Sequence, residues 1–387
     1  MKEYKIAKGW AIFIYLFAPL LIGLFGWLLI HSFTKESIST TAGWLLIDAA
    51  IAMIILMIVG IIDTYKSKLI IHDDSIVSIS AFSNRELTFN EIKGYTVNDN
   101  YIFIEPVDTS KKRIKVSKYI GGYLEVLSWL ADNFTNLDVQ TGIEEEQAIL
   151  NDESYGLTKD SRGEKLLKAR RTATIINWAG GITAAWVFFY PSPYEYALLL
   201  AAAVPVLAIL AVKLSKGLIR IDEKKGSAYP SVIYALIYPS LALMVRVFDY
   251  QIFDYSNVWG NAILITLCLL ILLLLKQKEI TFKKKPDYFT VVSIALFLFV
   301  YSFGTVIFFN CYYDHSKAQY FTAKVLNKRI SSGKSTTRYV ELSTWGQQKE
   351  VDEVSVGKKL YNSIEVGSIV KIYFRNGKLG IPWFIVE

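Results

Sequence analysis

Residues 10–30 read WAIFIYLFAPLLIGLFGWLLI, a run with no Asp, Glu, Lys, Arg or His. Wound as a helix it is about 30 Å long, the thickness of the hydrocarbon core of a bilayer. In that medium backbone N–H and C=O groups find no water, so the run satisfies its own hydrogen bonds as a helix and spans. Runs of the same character recur at Gly43 to Ile62, Ala173 to Tyr190, Tyr196 to Val212, Ala228 to Val247, Val258 to Leu275 and Phe289 to Phe309. The chain therefore reads as a polytopic α-helical membrane protein with about seven helices. Composition agrees, because 387 residues that are 53% hydrophobic and 14% aromatic are too apolar for an ordinary soluble protein. Lys2, Lys5 and Lys8 precede the first run as they would in a signal peptide. The run is too long for one and lacks a small-residue cleavage pattern, so a retained anchor is expected. The fifth run carries Pro230 and Pro239, which remove helix hydrogen bonds and predict a kink.

The formal net charge of +7 is concentrated at the ends of these runs, where cations meet anionic headgroups and set orientation. Lys66, Lys68, Lys168, Arg170 and Arg171 flank the segment between spans two and three. Lys213, Lys216, Arg220, Lys224 and Lys225 follow span four, and Lys276, Lys278, Lys283, Lys284 and Lys285 follow span six. The alternate loops hold little positive charge: His31 to Thr41 carries only Lys35, Pro191 to Glu195 no Lys or Arg, and Phe248 to Asn257 the acids Asp249 and Asp254. The N-terminus is expected inside and the C-terminus outside, in a bacterial cytoplasmic membrane. The bilayer is the expected partner and nucleic acid is not. Cys268 and Cys311 form neither a disulfide framework nor a metal site.

Two segments change character. Lys68 to His72, Ile76 to Phe82, Glu86 to Phe89, Ile92 to Val97, Tyr101 to Val107 and Arg113 to Ser117 alternate as antiparallel strands do, separated by polar turns such as His72-Asp73-Asp74-Ser75. Ile120, Tyr123, Leu124, Leu127, Leu130 and Phe134 then take helical spacing. The stretches KLIIHDDSIVSISAF, LTFNEIKGYTV and RIKVSKYIGGYLEVLSWL resemble the bacterial pleckstrin-homology-like domains that follow a pair of transmembrane helices. The resemblance implies a PH-like β-barrel closed by a C-terminal helix, and no particular ligand. Past residue 318 the strands Phe321 to Ile330, Thr336 to Trp345, Lys349 to Ser355, Ile369 to Arg375 and Leu379 to Val386 are expected, with turns at Ser332-Gly333-Lys334 and Asn376-Gly377. This part resembles small all-β domains that follow a transmembrane helix in bacterial proteins, which implies no catalytic residue. The expected organisation is a transmembrane hairpin at 1–64, a cytoplasmic PH-like domain at 65–135, a helical linker at 136–171, a transmembrane bundle at 172–311 and an extracytoplasmic small β-barrel at 312–387.

Chemistry-bearing residues are few. Lys111, Lys112, Arg113, Lys115 and Lys118 project from a strand whose Ile114 and Val116 face inward, and could meet lipid phosphate; a solvated turn is the commoner role of such a run. Asp48 is the one carboxylate well inside a span, a position costly enough to suggest coupling to an ion, although a helix contact or the interface explains it more often. Arg246 is expected to snorkel at the outer end of span five, with pairing to Asp48 a conjecture, and Tyr234 and Tyr238 share one face of that span. Gly180, Gly181, Ala184 and Ala185 permit close helix approach. His72, Asp73 and Asp74 read as a turn rather than metal ligands, and Gly121-Gly122 as a flexible turn. Neither a phosphate loop, an HExxH helix nor a nucleophile elbow occurs. No cofactor is expected. The residues favour a non-enzymatic scaffold, sensor or partner- and lipid-binding protein, with protein partners on both sides and a second copy of the chain as candidates. The alternative is a transporter or channel subunit, suggested by Asp48 and the proline-bearing fifth helix.

Overall fold

A computed structural model describes residues 1–34, 41–222, 224–275, 280, 282, 285–332 and 336–387. Lys35, the cations Lys276, Lys278, Lys283 and Lys284, and the turn residues Gly333 and Lys334 lie outside the described residues. Among the described residues six helices are long and apolar enough to cross a membrane. The chain forms two compact units, Met1–Ala148 with Lys225–Ala228, and Ile149–Lys224 with Tyr229–Glu387.

In the first unit, α1 (Lys8–Thr34) and α2 (Thr41–Lys66) form a hairpin whose two flanks are joined by backbone. Strand β1 (Lys2–Lys5) precedes α1 and β2 (Lys68–Ile71) follows α2; they pair antiparallel, Lys2 opposite Ile71 and Lys5 opposite Lys68. The lysines that read as a membrane flank therefore also form a strand, with Tyr4 pointing inward between outward Glu3 and Lys5. β3 (Ser75–Ile79) and β4 (Asn84–Thr88) extend this sheet in the order β1-β2-β3-β4. β5 (Ile92–Val97), β6 (Tyr101–Pro106) and β7 (Ile114–Ser117) make a second antiparallel sheet, and α3 (Tyr123–Asn133) follows.

One core joins all three layers: Tyr4, Leu69 and Ile76 from the first sheet, Ile102, Ile104 and Ile114 from the second, Val126 and Leu130 from α3. The seam next to β1 is closed by Ala7 N donating to Tyr119 O at 2.8 Å and Gly121 N to Lys5 O at 2.7 Å. Gly121-Gly122 is thus a close-approach site rather than slack. Gly122 has φ +74° and its missing Cβ would stand 3.0 Å from the Tyr4 ring, so only glycine suits it. Helix α4 (Leu137–Asn151) follows, and Glu145 accepts from Ser227 Oγ at 2.5 Å and Ala228 N at 2.9 Å.

The second unit is a helix bundle with a β-domain at one end. α5 (Lys159–Phe189) runs unbroken from the basic segment into the apolar one, and α6 (Tyr194–Leu214), α7 (Ile233–Val247), α8 (Ser256–Leu274) and α9 (Lys285–Tyr312) follow. At one end Lys213 Nζ, from the last turn of α6, donates to Leu275 O after α8. At the other, Tyr194 Oη donates to Asp249 Oδ2 at 3.1 Å and Tyr312 Oη to Glu195. The five helices therefore alternate in direction.

The fifth expected span is the exception in length. Of Ala228 to Val247 only the fifteen residues of α7 are helical. The preceding turn is bonded elsewhere: Arg220 N donates to Pro230 O at 2.9 Å, Val232 N to Arg220 O at 3.2 Å and Ser231 Oγ to Ile221 O at 2.7 Å. Pro230 has no N–H to offer a helix, and pairing with residues 220–221 takes up the neighbouring groups. α7 packs by small residues, since a Cβ on Gly180 of α5 would stand 2.7 Å from Ala235 Cα and one on Gly304 of α9 3.0 Å from Leu243 Cβ.

The C-terminal strands are β9 (Gln319–Ser332), β10 (Thr336–Leu342), β11 (Asp352–Val356), β12 (Ile369–Arg375) and β13 (Trp383–Val386). A sixth, β8 (Gln251–Ile252), comes from the loop between α7 and α8, giving the order β11-β10-β9-β12-β13-β8. Gln251 Nε2 donates to Ser355 O and Oγ, both at 2.9 Å, so the two edges meet and the sheet nearly closes. The core is aromatic: Trp345, Phe374 and Phe384 pack with Phe321 and Phe253.

Candidate functional site

Two places gather polar groups that the fold holds in position. The first is a cleft of about 540 Å³ within the first unit, where the base of the α1–α2 hairpin meets the two β-sheets. Its helical wall is Trp10, Phe13 and Ile14 of α1 with Gly60 of α2. Its sheet wall is largely polar, with Ser78, Ser80, Arg85 and Lys115 among its residues. The wall is fixed to the helix base: Asp63 Oδ1 of α2 accepts from Ala81 N at 2.9 Å and from Ser67 Oγ at 3.0 Å. Trp10 packs edge-on against Tyr119, ring centroids 4.4 Å apart.

Arg85 has the parity of Leu87 along β4, and Leu87 is buried, so its side chain starts inward at the edge of the first sheet. Its Nη1 donates to Arg113 O at 2.6 Å, while its Nε is buried with no hydrogen-bond partner. Lys115 holds its Nζ 3.7 Å from the centre of the Tyr101 ring. Among the described residues neither Arg85 nor Lys115 is ion-paired, whereas Lys68 in the same cleft lies 3.5 Å from Glu3.

The second place is the joint between α9 and the β-domain. Asn310 is fully buried; its Oδ1 accepts from Leu379 N at 2.9 Å and its Nδ2 donates to Ile381 O at 2.8 Å. Asp314 Oδ2 accepts from Trp383 Nε1 at 2.8 Å and Gly377 N at 3.0 Å. Burial opposes ionisation of Asp314, but donors from Ser316, Trp383 and Gly377 outweigh it and hold the carboxyl below its usual range. These bonds explain why Asn376-Gly377 is not a two-residue hairpin. β12 ends at Arg375 and β13 starts at Trp383, and the intervening loop folds over Asn310 of α9 and Asp314 just beyond it.

The basic run does not form one patch. Lys111 pairs with Glu91 at 2.5 Å and Arg113 with Glu105 at 3.2 Å, the guanidinium of Arg113 lying over Phe103. Lys118 faces the Tyr123 ring at 5.9 Å and Lys112 is exposed, leaving Lys115 alone in the cleft. Asp48 is exposed on α2 and makes no ion pair among the described residues. Arg246 caps the end of α5, its Nε donating to Val187 O and Nη2 to Phe188 O, both at 2.9 Å, with Asp249 3.4 Å from Nη1. Tyr234 and Tyr238 stack at 5.5 Å on an exposed face of α7. His72 and Asp73 sit in the β2–β3 turn, where the N-terminal amine approaches Asp73 at 3.6 Å.

Sequence reasoning missed Arg85, Asn310 and Asp314. For Arg85 the signal was present, because strand alternation places it with Leu87 and not with the outward Glu86. For Asn310 and Asp314 the partners lie more than sixty residues away along the chain, beyond any local pattern. Comparison with protein families, curated proteins and solved structures returns no match for this chain.

Proposed function

We propose that this chain is a multi-pass protein of a bacterial cytoplasmic membrane that binds partners or lipid through its β-modules and uses its helices as scaffold and signal conduit. One observation carries the reading: neither module hangs on a slack linker. In the first, strands on either side of the α1–α2 hairpin pair with each other. In the second, Asn310 and Asp314 at the end of α9 hold the β12–β13 loop, and β8 adds a strand from between α7 and α8. An event at either module is therefore felt at a helix end. The PH-like identity of the first module is part of the proposal, supported by four strands plus three and a following helix around one core. The basic and acidic ends of the second unit support an N-terminus inside and a C-terminus outside.

A second reading, a transporter or channel subunit, draws on α7. A short helix preceded by bonded, non-helical backbone with Leu218, Ile219 and Ile221 buried is the kind of interrupted span that lines solute paths. One experiment separates the two. Photo-crosslinkers placed at Lys112 and Tyr320 of the full-length protein in native membranes are expected to give discrete adducts, and reconstituted protein no solute flux. Flux without adducts, abolished by Asp48→Asn, would establish the second reading and remove the first.

A further inference from the structure

The unit 1 cleft joins two kinds of wall that one ligand class matches. Trp10, Phe13 and Ile14 belong to a helix that composition places in the bilayer, and Trp10 and Phe13 are themselves about half exposed. The opposite wall carries the hydroxyls of Ser78 and Ser80 with the cations Arg85 and Lys115. An apolar wall continuous with a membrane helix accepts an acyl chain, and a serine- and arginine-bearing wall at its base accepts a phosphate. The one carboxylate of the cleft, Asp63, is already engaged by Ala81 N and Ser67 Oγ. Arg85 by contrast retains a buried Nε with no acceptor, an arrangement that costs free energy unless something supplies one. Lys115 rests on an aromatic face, which offers no oxygen.

We infer that this cleft holds a phosphate-bearing amphiphile, an anionic glycerophospholipid of the surrounding leaflet, with its phosphate on Arg85 and Lys115 and its chain along Trp10 and Phe13. The inference rests on the proposed insertion of α1 and α2 in the membrane. It assigns the headgroup contact to residues at the helix base and not to the tip of the β6–β7 hairpin, where Lys111 and Arg113 are consumed by Glu91 and Glu105. Bound there, the lipid would bridge the α1–α2 hairpin and the barrel.

The test uses full-length protein purified in mild detergent and in nanodiscs of phosphatidylcholine with or without phosphatidylglycerol. Native mass spectrometry is expected to show one retained phosphatidylglycerol in preference to phosphatidylcholine. The double variant Arg85→Gln, Lys115→Gln should bind it about tenfold or more weakly. The single variant Lys112→Gln, outside the cleft, should match wild type. Dioctanoyl phosphatidylglycerol is expected to compete and glycerol phosphate is not; equal competition by glycerol phosphate would overturn the lipid assignment in favour of a soluble phosphate. Equal retention of both lipids, or equal retention by wild type and the double variant, would overturn the site. Quenching by brominated phosphatidylcholine of a fluorophore on Leu24→Cys in the full-length protein with Cys268→Ser reports insertion of α1 separately, so loss of the underlying reading is distinguishable from loss of the site.

Discussion

At the residue scale the α9 joint turns on two side chains. Asp314 is almost wholly buried, and its carboxylate accepts from an indole N–H and a backbone N–H. Because its folded carboxyl sits below the ordinary value of 3.8, the stabilisation is full at neutral pH and fades as pH drops below that value. Asp314→Asn should cost about 1.5–3 kcal/mol at pH 7, the range for hydrogen bonds to a charged group. It should also flatten the acid limb of stability. Thermal unfolding followed by tryptophan fluorescence at pH 7 and near pH 3.5 checks both; parallel acid losses in variant and wild type would show that Asp314 does not govern that limb. Arg85 teaches a different lesson about legibility. Its inward placement is readable from the parity of β4, but the strand expected from sequence starts only at Glu86, which leaves Arg85 outside it.

At the element scale the strands and long helices were legible because their periodicities are set by the surfaces they bury. The expected strands of the first module match β2 to β7 within a few residues, since each places Ile, Leu or Val on one face. β1 was hidden by its composition: KEYK has one apolar position, and its strand character comes wholly from pairing with β2 across a helical hairpin. α7 was over-extended for the converse reason, since residues 228–232 are apolar enough for a span while their hydrogen bonds run to residues 220–221. The small-residue stripe in α5 can now be divided. Gly180 faces α7 and is buried, whereas nothing stands within 4 Å of a Cβ on Gly181. Gly180→Leu should therefore lower bundle stability by about 1–3 kcal/mol through overpacking, and Gly181→Leu should be close to neutral. Melting temperatures of the two purified variants compare them directly, and equal losses would show that packing against Ala235 is not what Gly180 serves.

At the scale of the whole molecule, the two units constrain topology separately. In the first, pairing of β1 with β2 brings both ends of the α1–α2 hairpin together, so residues 2–5 and the following sheets lie at the same end of it. In the second, five helices that alternate in direction put the start of α5 and the end of α9 at opposite ends, even though α7 is short. Lys165, Lys168, Arg170 and Arg171 mark the first end, together with Lys213 and Lys216 after α6. Glu195, Asp249 and Asp254 mark the other, where the β-domain attaches. Between the units, residues 134–158 contain no apolar run long enough to cross. Under the proposed orientation, in which cations stay on the cytoplasmic face, residues 68–117 are expected inside and the β-domain outside. Alkaline phosphatase fused after Glu387 should be active and a fluorescent protein at the same position dark, while a fluorescent protein inserted at Thr109 in the β6–β7 turn should be bright. A bright fusion at Glu387 would mean that α7 re-enters without crossing, because an even number of passages through the second unit is then required, and the interrupted helix would become the part of the protein to explain first.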